Sequence, residues 1–178
     1  MSKLAKDMYS EVDHLPNKKQ WNTRDLYHFQ RYLIVLFYSK HALRGDLADV
    51  KIKKPYGNNW LKKEGSAYEL HVGEHKTSRA HGAIKITLQD ELRKALDVFL
   101  PQARRLTNHG YLLSTLRTKS RLKRQDMLRL IRNITKDRLG ANNSGAQSER
   151  RGPQIEKALQ LQKELGHSAS MQQKYISR

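Results

Sequence analysis

Tyr32-Leu33-Ile34-Val35-Leu36-Phe37-Tyr38 is the most apolar run in the chain, and no surface element can carry it. Asn22 or Thr23 offers a side-chain oxygen that can cap a helix start. Tyr27, Phe29, Leu33, Ile34, Leu36 and Phe37 carry the pattern on towards His41. A helix with one apolar stripe lies on a core, whereas a helix that is apolar nearly all round lies inside it. The pattern therefore predicts a central helix over about residues 22–41, with the remaining elements packed around it. The run is too short to cross a bilayer, which takes about 20 apolar residues, and no secretory signal is visible.

After that helix the period changes. Residues 50–53, 68–72 and 83–88 alternate or cluster β-prone side chains and read as three short strands. Pro55-Tyr56-Gly57-Asn58-Asn59 separates the first two, and a polar tip over residues 75–82 separates the last two. This predicts a small three-stranded antiparallel sheet with an exposed hairpin. Helical spacing returns over residues 89–99 and 119–138. Asn142, Asn143, Ser144 and Gly145 mark residues 140–152 as a loop. Pro153 suits the first turn of a further helix with Ile155, Ala158, Leu159 and Leu165 on one face, and a last short helix is predicted over 171–175. The fold class is thus α+β, mainly α-helical. Residues 1–20 read as an N-terminal extension or linker remnant, and 21–178 as one domain.

Charge narrows the function. Thirty-five Lys and Arg stand against 17 Asp and Glu, a formal net charge of +18. That surplus attracts a polyanion, of which nucleic acid is the commonest. No amphipathic helix with a clean basic face points to a membrane. The chain has no cysteine, which excludes disulfides, zinc ribbons and thiol nucleophiles. Histidines and carboxylates do not cluster at metal-ligand spacing, and no glycine-rich phosphate loop is present. No metal and no cofactor is expected, and an intracellular setting follows, wherever the nucleic acid lies.

Cleaving a phosphodiester without metal or hydrolysis needs a hydroxyl to attack, cations to hold the phosphate oxygens and an acid for the leaving oxygen. The C-terminal segment meets that requirement with a pattern. Leu165-Gly166-His167-Ser168, followed eight residues after the histidine by Tyr175, resembles the closing motif of the tyrosine recombinase (phage integrase) family. Ala42-Leu43-Arg44-Gly45-Asp46-Leu47, directly after the apolar helix, resembles that family's first-arginine box. His75-Lys76-Thr77 sits on the predicted hairpin, where the family places its catalytic lysine. Gln147-Ser148-Glu149-Arg150 is similar to the His-x-x-Arg box, with glutamine in the histidine place.

The resemblance covers nearly the whole chain from about residue 20 and implies a tyrosine recombinase-like catalytic domain. Arg44 and Arg150 would clamp the scissile phosphate, bidentate donation by guanidinium suiting that task, with Arg151 the alternative to Arg150. Lys76 would protonate the departing 5′-oxygen, His167 would hydrogen-bond a phosphate oxygen, and Tyr175 would become linked to the 3′-phosphate. Gln147 can donate or accept a hydrogen bond but cannot shuttle a proton.

Taken singly, each of these residues has an ordinary structural reading; the ordered set carries the inference. The stretch from Arg150 to His167 is shorter than the family usually shows, and three residues follow Tyr175. Twenty residues before the first core helix are too few for the family's separate DNA-binding domain, so the chain reads as a catalytic fragment or minimal relative. The implied partner is double-stranded DNA, bound as a homo-tetramer across two duplexes, with a monomer or weak oligomer when free and no membrane. The implied location is with DNA, in a prokaryotic cytoplasm, a nucleus or a viral factory. Two alternatives stand beside this: a DNA-binding relative of the same fold with weakened or lost catalysis, and a basic RNA-binding protein.

Overall fold

The computed structural model describes residues 3–41, 45–74, 82–88 and 90–138. Over these the chain is α+β, with four α-helices and one three-stranded antiparallel sheet. The long central helix, α2 (Thr23–Lys40), starts where the sequence places it. Asn22 accepts from the Asp25 amide while the Asp25 carboxylate accepts from the Asn22 amide, a reciprocal cap. Leu33, Ile34, Leu36 and Phe37 are fully buried. Phe29 meets Phe99 of α3 (Asp90–Leu106) in a stacked pair, 6.1 Å between centroids.

Three helices pack on α2. α1 (Lys3–Ser10) brings Ala5 and Met8, and the following turn brings Val12 and Leu15, all buried in the same core. The described part of the first twenty residues is therefore integral to the domain rather than a linker. Trp21 closes this end, its indole N–H donating to the Leu15 carbonyl at 2.8 Å. α3 runs on past Phe99 and through Pro101, because Leu100 and Ala103 keep the same stripe buried and packing outweighs the missing N–H. α4 (Arg124–Arg138) buries Met127, Leu130 and Ile134 at helical spacing. It starts later than residue 119, because residues 107–123 form an irregular loop with one bridge between Ser114 and Arg121.

The sheet order is β1 (Asn59–Glu64), β2 (Ala67–Val72), β3 (Ile84–Leu88). Gly65, with φ of +58°, makes the tight β1–β2 turn that a side chain would strain. The last two strands agree with expectation; the first does not. Residues 50–53 form no strand, and only Lys51 pairs, through single bridges to Trp60 of β1 and to Tyr111. Their alternation is nonetheless real: Val50 and Ile52 are buried and Lys51 faces the other way. The predicted segments over residues 140–152, 153–165 and 171–175 lie outside the described residues, as does most of the hairpin tip. Among the described residues no helix is long and apolar enough to cross a membrane.

Candidate functional site

All six residues singled out for chemistry, Arg44, Lys76, Gln147, Arg150, His167 and Tyr175, lie outside the described residues, and so does Arg151. What the structure supplies is the ground immediately after Arg44 and immediately before Lys76.

Immediately after Arg44, Asp46–Asp49 forms one turn of 3-10 helix whose Leu47 and Ala48 are buried. That burial turns the carboxylates of Asp46 and Asp49 towards the start of α4. Arg124 donates from Nη2 to Asp46 Oδ1 at 2.7 Å and to Asp49 Oδ2 at 3.1 Å. Arg121 donates from Nη2 to Asp49 and from Nη1 to the Tyr111 hydroxyl at 3.2 Å, and its guanidinium lies 4.3 Å from the Tyr111 ring centroid. Gly45 lies close beneath Arg124, where a Cβ would stand 2.6 Å from Arg124 Cγ and the side chain would have to shift. The end of α2 borders the same place. Burial pushes the Tyr38 hydroxyl well above its ordinary pKa, with Asp46 adding to the effect. Burial also lowers the His41 imidazole, and Lys40 adds to that.

Before Lys76, the chain leaving β2 is clamped to β1. Asn59 is buried; its Oδ1 accepts from the Glu74 amide at 2.9 Å and its Nδ2 donates to the Glu74 carbonyl at 3.2 Å. The Gly73 amide donates to the Asn58 carbonyl at 2.9 Å. Asn58 Nδ2 donates to the Glu74 carboxylate at 3.0 Å.

These two regions line one polar cleft of about 480 Å³, bordered by Asp49, Lys51, Asn58, Glu74, Tyr111 and Arg121, with Arg124 beside them. Chemically the cleft offers guanidinium edges held in place by carboxylates and an aromatic ring. The Arg121 and Arg124 side chains keep 40% and 45% of their surface exposed, so each retains N–H groups for an anion. Among the described residues no His, Asp and Glu group could hold a metal ion.

The acid pair and its two arginines are absent from the set of candidates read in the sequence. One signal was there: Asp46 and Asp49 stand three apart inside an apolar stretch, in a chain poor in acids, and Arg121 and Arg124 repeat that spacing. Comparison with protein-family models, with curated proteins and with solved structures gives no match.

Proposed function

We propose that this chain is the catalytic domain of a DNA strand-transferase of the tyrosine recombinase kind, with Tyr175 as its nucleophile. The observation that carries the reading is the order of Arg44, Lys76, Gln147 with Arg150, His167 and Tyr175 along the chain, which resembles that of the family's boxes. The fold adds support: an apolar core helix ends just before Arg44, and β2 and β3 flank the segment that holds Lys76. So does the cleft, where Asp49, five residues after Arg44, and Glu74, two before Lys76, are both in the lining.

In this reading the Tyr175 hydroxyl gives up its proton to solvent as its oxygen bonds to the scissile phosphorus and the bond to the 5′-oxygen breaks. Lys76 delivers the proton that the 5′-oxygen takes up. Arg44 and Arg150 hold the non-bridging oxygens, where charge builds in the transition state, and His167 donates to one of them. The phosphotyrosine conserves the bond energy, so a second 5′-hydroxyl reverses the step without nucleotide or metal. A glutamine at position 147 specifically favours a slower relative of the same fold, since the amide cannot exchange protons at neutral pH.

The test is capture of a covalent adduct on a nicked suicide DNA substrate. Tyr175→Phe abolishes the adduct and keeps DNA binding, and Arg44→Ala or Lys76→Ala slows its formation by about 100-fold or more. DNA binding without an adduct in the natural chain would move the reading to the non-catalytic relative. An adduct of equal yield in Tyr175→Phe would overturn the assignment.

A further inference from the structure

One surface feature starts at the cleft, at Lys51, Tyr111 and Arg121, and runs beyond it across the sheet. Strand pairing lines up five side chains on the outer face of the sheet. Tyr111 pairs with Lys51, Lys51 with Trp60, Trp60 with His71 and His71 with Lys85. Directly paired residues project from the same side of a sheet, and the contacts agree: Lys51 Nζ lies 5.6 Å from the Tyr111 centroid, and Trp60 stacks on His71 at 5.0 Å. Arg121, over Tyr111, extends the row at one end. At about 4.8 Å per strand the five columns span about 19 Å, equal to the axial rise of five or six base pairs at about 3.4 Å each.

We infer that this row is a docking track for the phosphate backbone of duplex DNA, leading from the cleft at Lys51, Tyr111 and Arg121 out to Lys85. The inference rests on the DNA reading above and adds which face of the domain meets the flanking duplex. Charge complementarity supports it: Lys51, Lys85 and Arg121 are spaced along the row in a chain of net charge +18. The aromatic geometry decides between duplex and single strand. A single-strand platform needs ring faces open to bases. Here Trp60 stacks on His71 at 5.0 Å and has the tilted Tyr56 ring at 5.8 Å, and the Tyr111 ring already carries Arg121 and Lys51. The rings serve as spacers that hold the cationic side chains apart, and what they leave for a ligand is charge.

Two measurements test this on the full chain. The first compares Lys51→Gln/Lys85→Gln with Lys3→Gln/Lys19→Gln, an exposed pair outside the row, by fluorescence anisotropy on labelled duplex between 50 and 200 mM salt. Each phosphate contact contributes about 0.9 to the salt slope. The row variant therefore loses about 1.8 from the slope, and its affinity gain over that salt range shrinks about 12-fold, while the control pair changes less. Equal losses in the two variants overturn the track, as does a loss confined to single-stranded DNA or RNA. The second measurement is acrylamide quenching. Trp21 is 3% exposed, so Trp60 is the tryptophan that quencher reaches, and saturating duplex protects it. Quenching that is unchanged at saturation also overturns the track. Covalent capture distinguishes the two readings: an adduct with unaltered binding in the row variant removes the track alone, and an altered slope without any adduct removes strand transfer alone.

Discussion

Gln30 is a polar residue with no exposure on the most apolar helix, and its replacement gives a sharp test of how the cleft is held. Its Nε2 donates to the Ser114 carbonyl at 2.9 Å and its Oε1 accepts from the Ser114 amide at 2.8 Å. Ser114 is itself buried, and the neighbouring bridge bonds run between Thr115 and Ser120 and between Leu122 and Leu113. One side chain therefore serves both main-chain groups of a residue 84 positions away and pins the loop that carries Tyr111 and Arg121. Gln30→Met keeps length, approximate volume and helix propensity, so no cavity term enters. It strands a donor and an acceptor at about 1–3 kcal/mol each. After a partial offset from the apolar thioether, the net cost is about 2–4 kcal/mol, against a total stability on the order of 5–15 kcal/mol. With a urea m-value of about 2 kcal/mol/M, the unfolding midpoint falls by about 1–2 M. A shift under about 0.3 M would show that Ser114 finds other partners and would refute the reasoning.

Three further outcomes follow from the same geometry. Arg124→Ala takes the guanidinium from an Asp46 side chain that is only 8% exposed. Because Arg124 is itself 45% exposed, solvent screening limits the cost to about 1–2 kcal/mol, a fall of about 3–6 °C in Tm. Gly73→Ala places a Cβ 2.7 Å from the Asn58 carbonyl oxygen and costs about 1–3 kcal/mol by urea unfolding. Gly45→Ala meets the flexible Arg124 side chain instead, and costs less. Burial lowers both His41 and His109, with Lys40 and Lys53 respectively adding to it. The folded state thus binds fewer protons than the unfolded one, so stability is complete above about pH 6.5 and falls as the pH drops through the lowered values. Thermal unfolding between pH 8 and 5.5 shows that loss, His109→Asn reduces it, and a flat profile contradicts it.

Much of the frame was legible because its signals are local. The helix start at Asn22 or Thr23, the apolar run over residues 32–38 and the β-prone residues of 83–88 are each read from neighbouring residues alone. What was not legible depends on partners distant in sequence. The strand Asn59–Glu64 is charged over half its length and owes its pairing to β2 on one side and Lys51 on the other. Residues 50–53 alternate like a strand but have only single-residue partners. Pro101 reads as a helix end until the burial of Ala103 is known. The Asp46–Arg124 pair joins residues 78 apart, and the matching three-residue spacings at its two ends do not say that they meet. For the site the position is reversed: Arg44, Lys76, Gln147, Arg150, His167 and Tyr175 are proposed from the sequence alone and lie outside the described residues.

The most direct test of the central claim is to locate the covalent bond. The chain is reacted with a suicide substrate, the adduct is trimmed with nuclease and trypsin, and the modified peptide is sequenced by mass spectrometry. Cleavage after Lys174 releases Tyr175-Ile-Ser-Arg178, and the account predicts that this peptide carries a nucleotide on the tyrosine oxygen, with yield unaffected by a chelator. A nucleotide on any other residue, or DNA bound to saturation with no modified peptide, would contradict it.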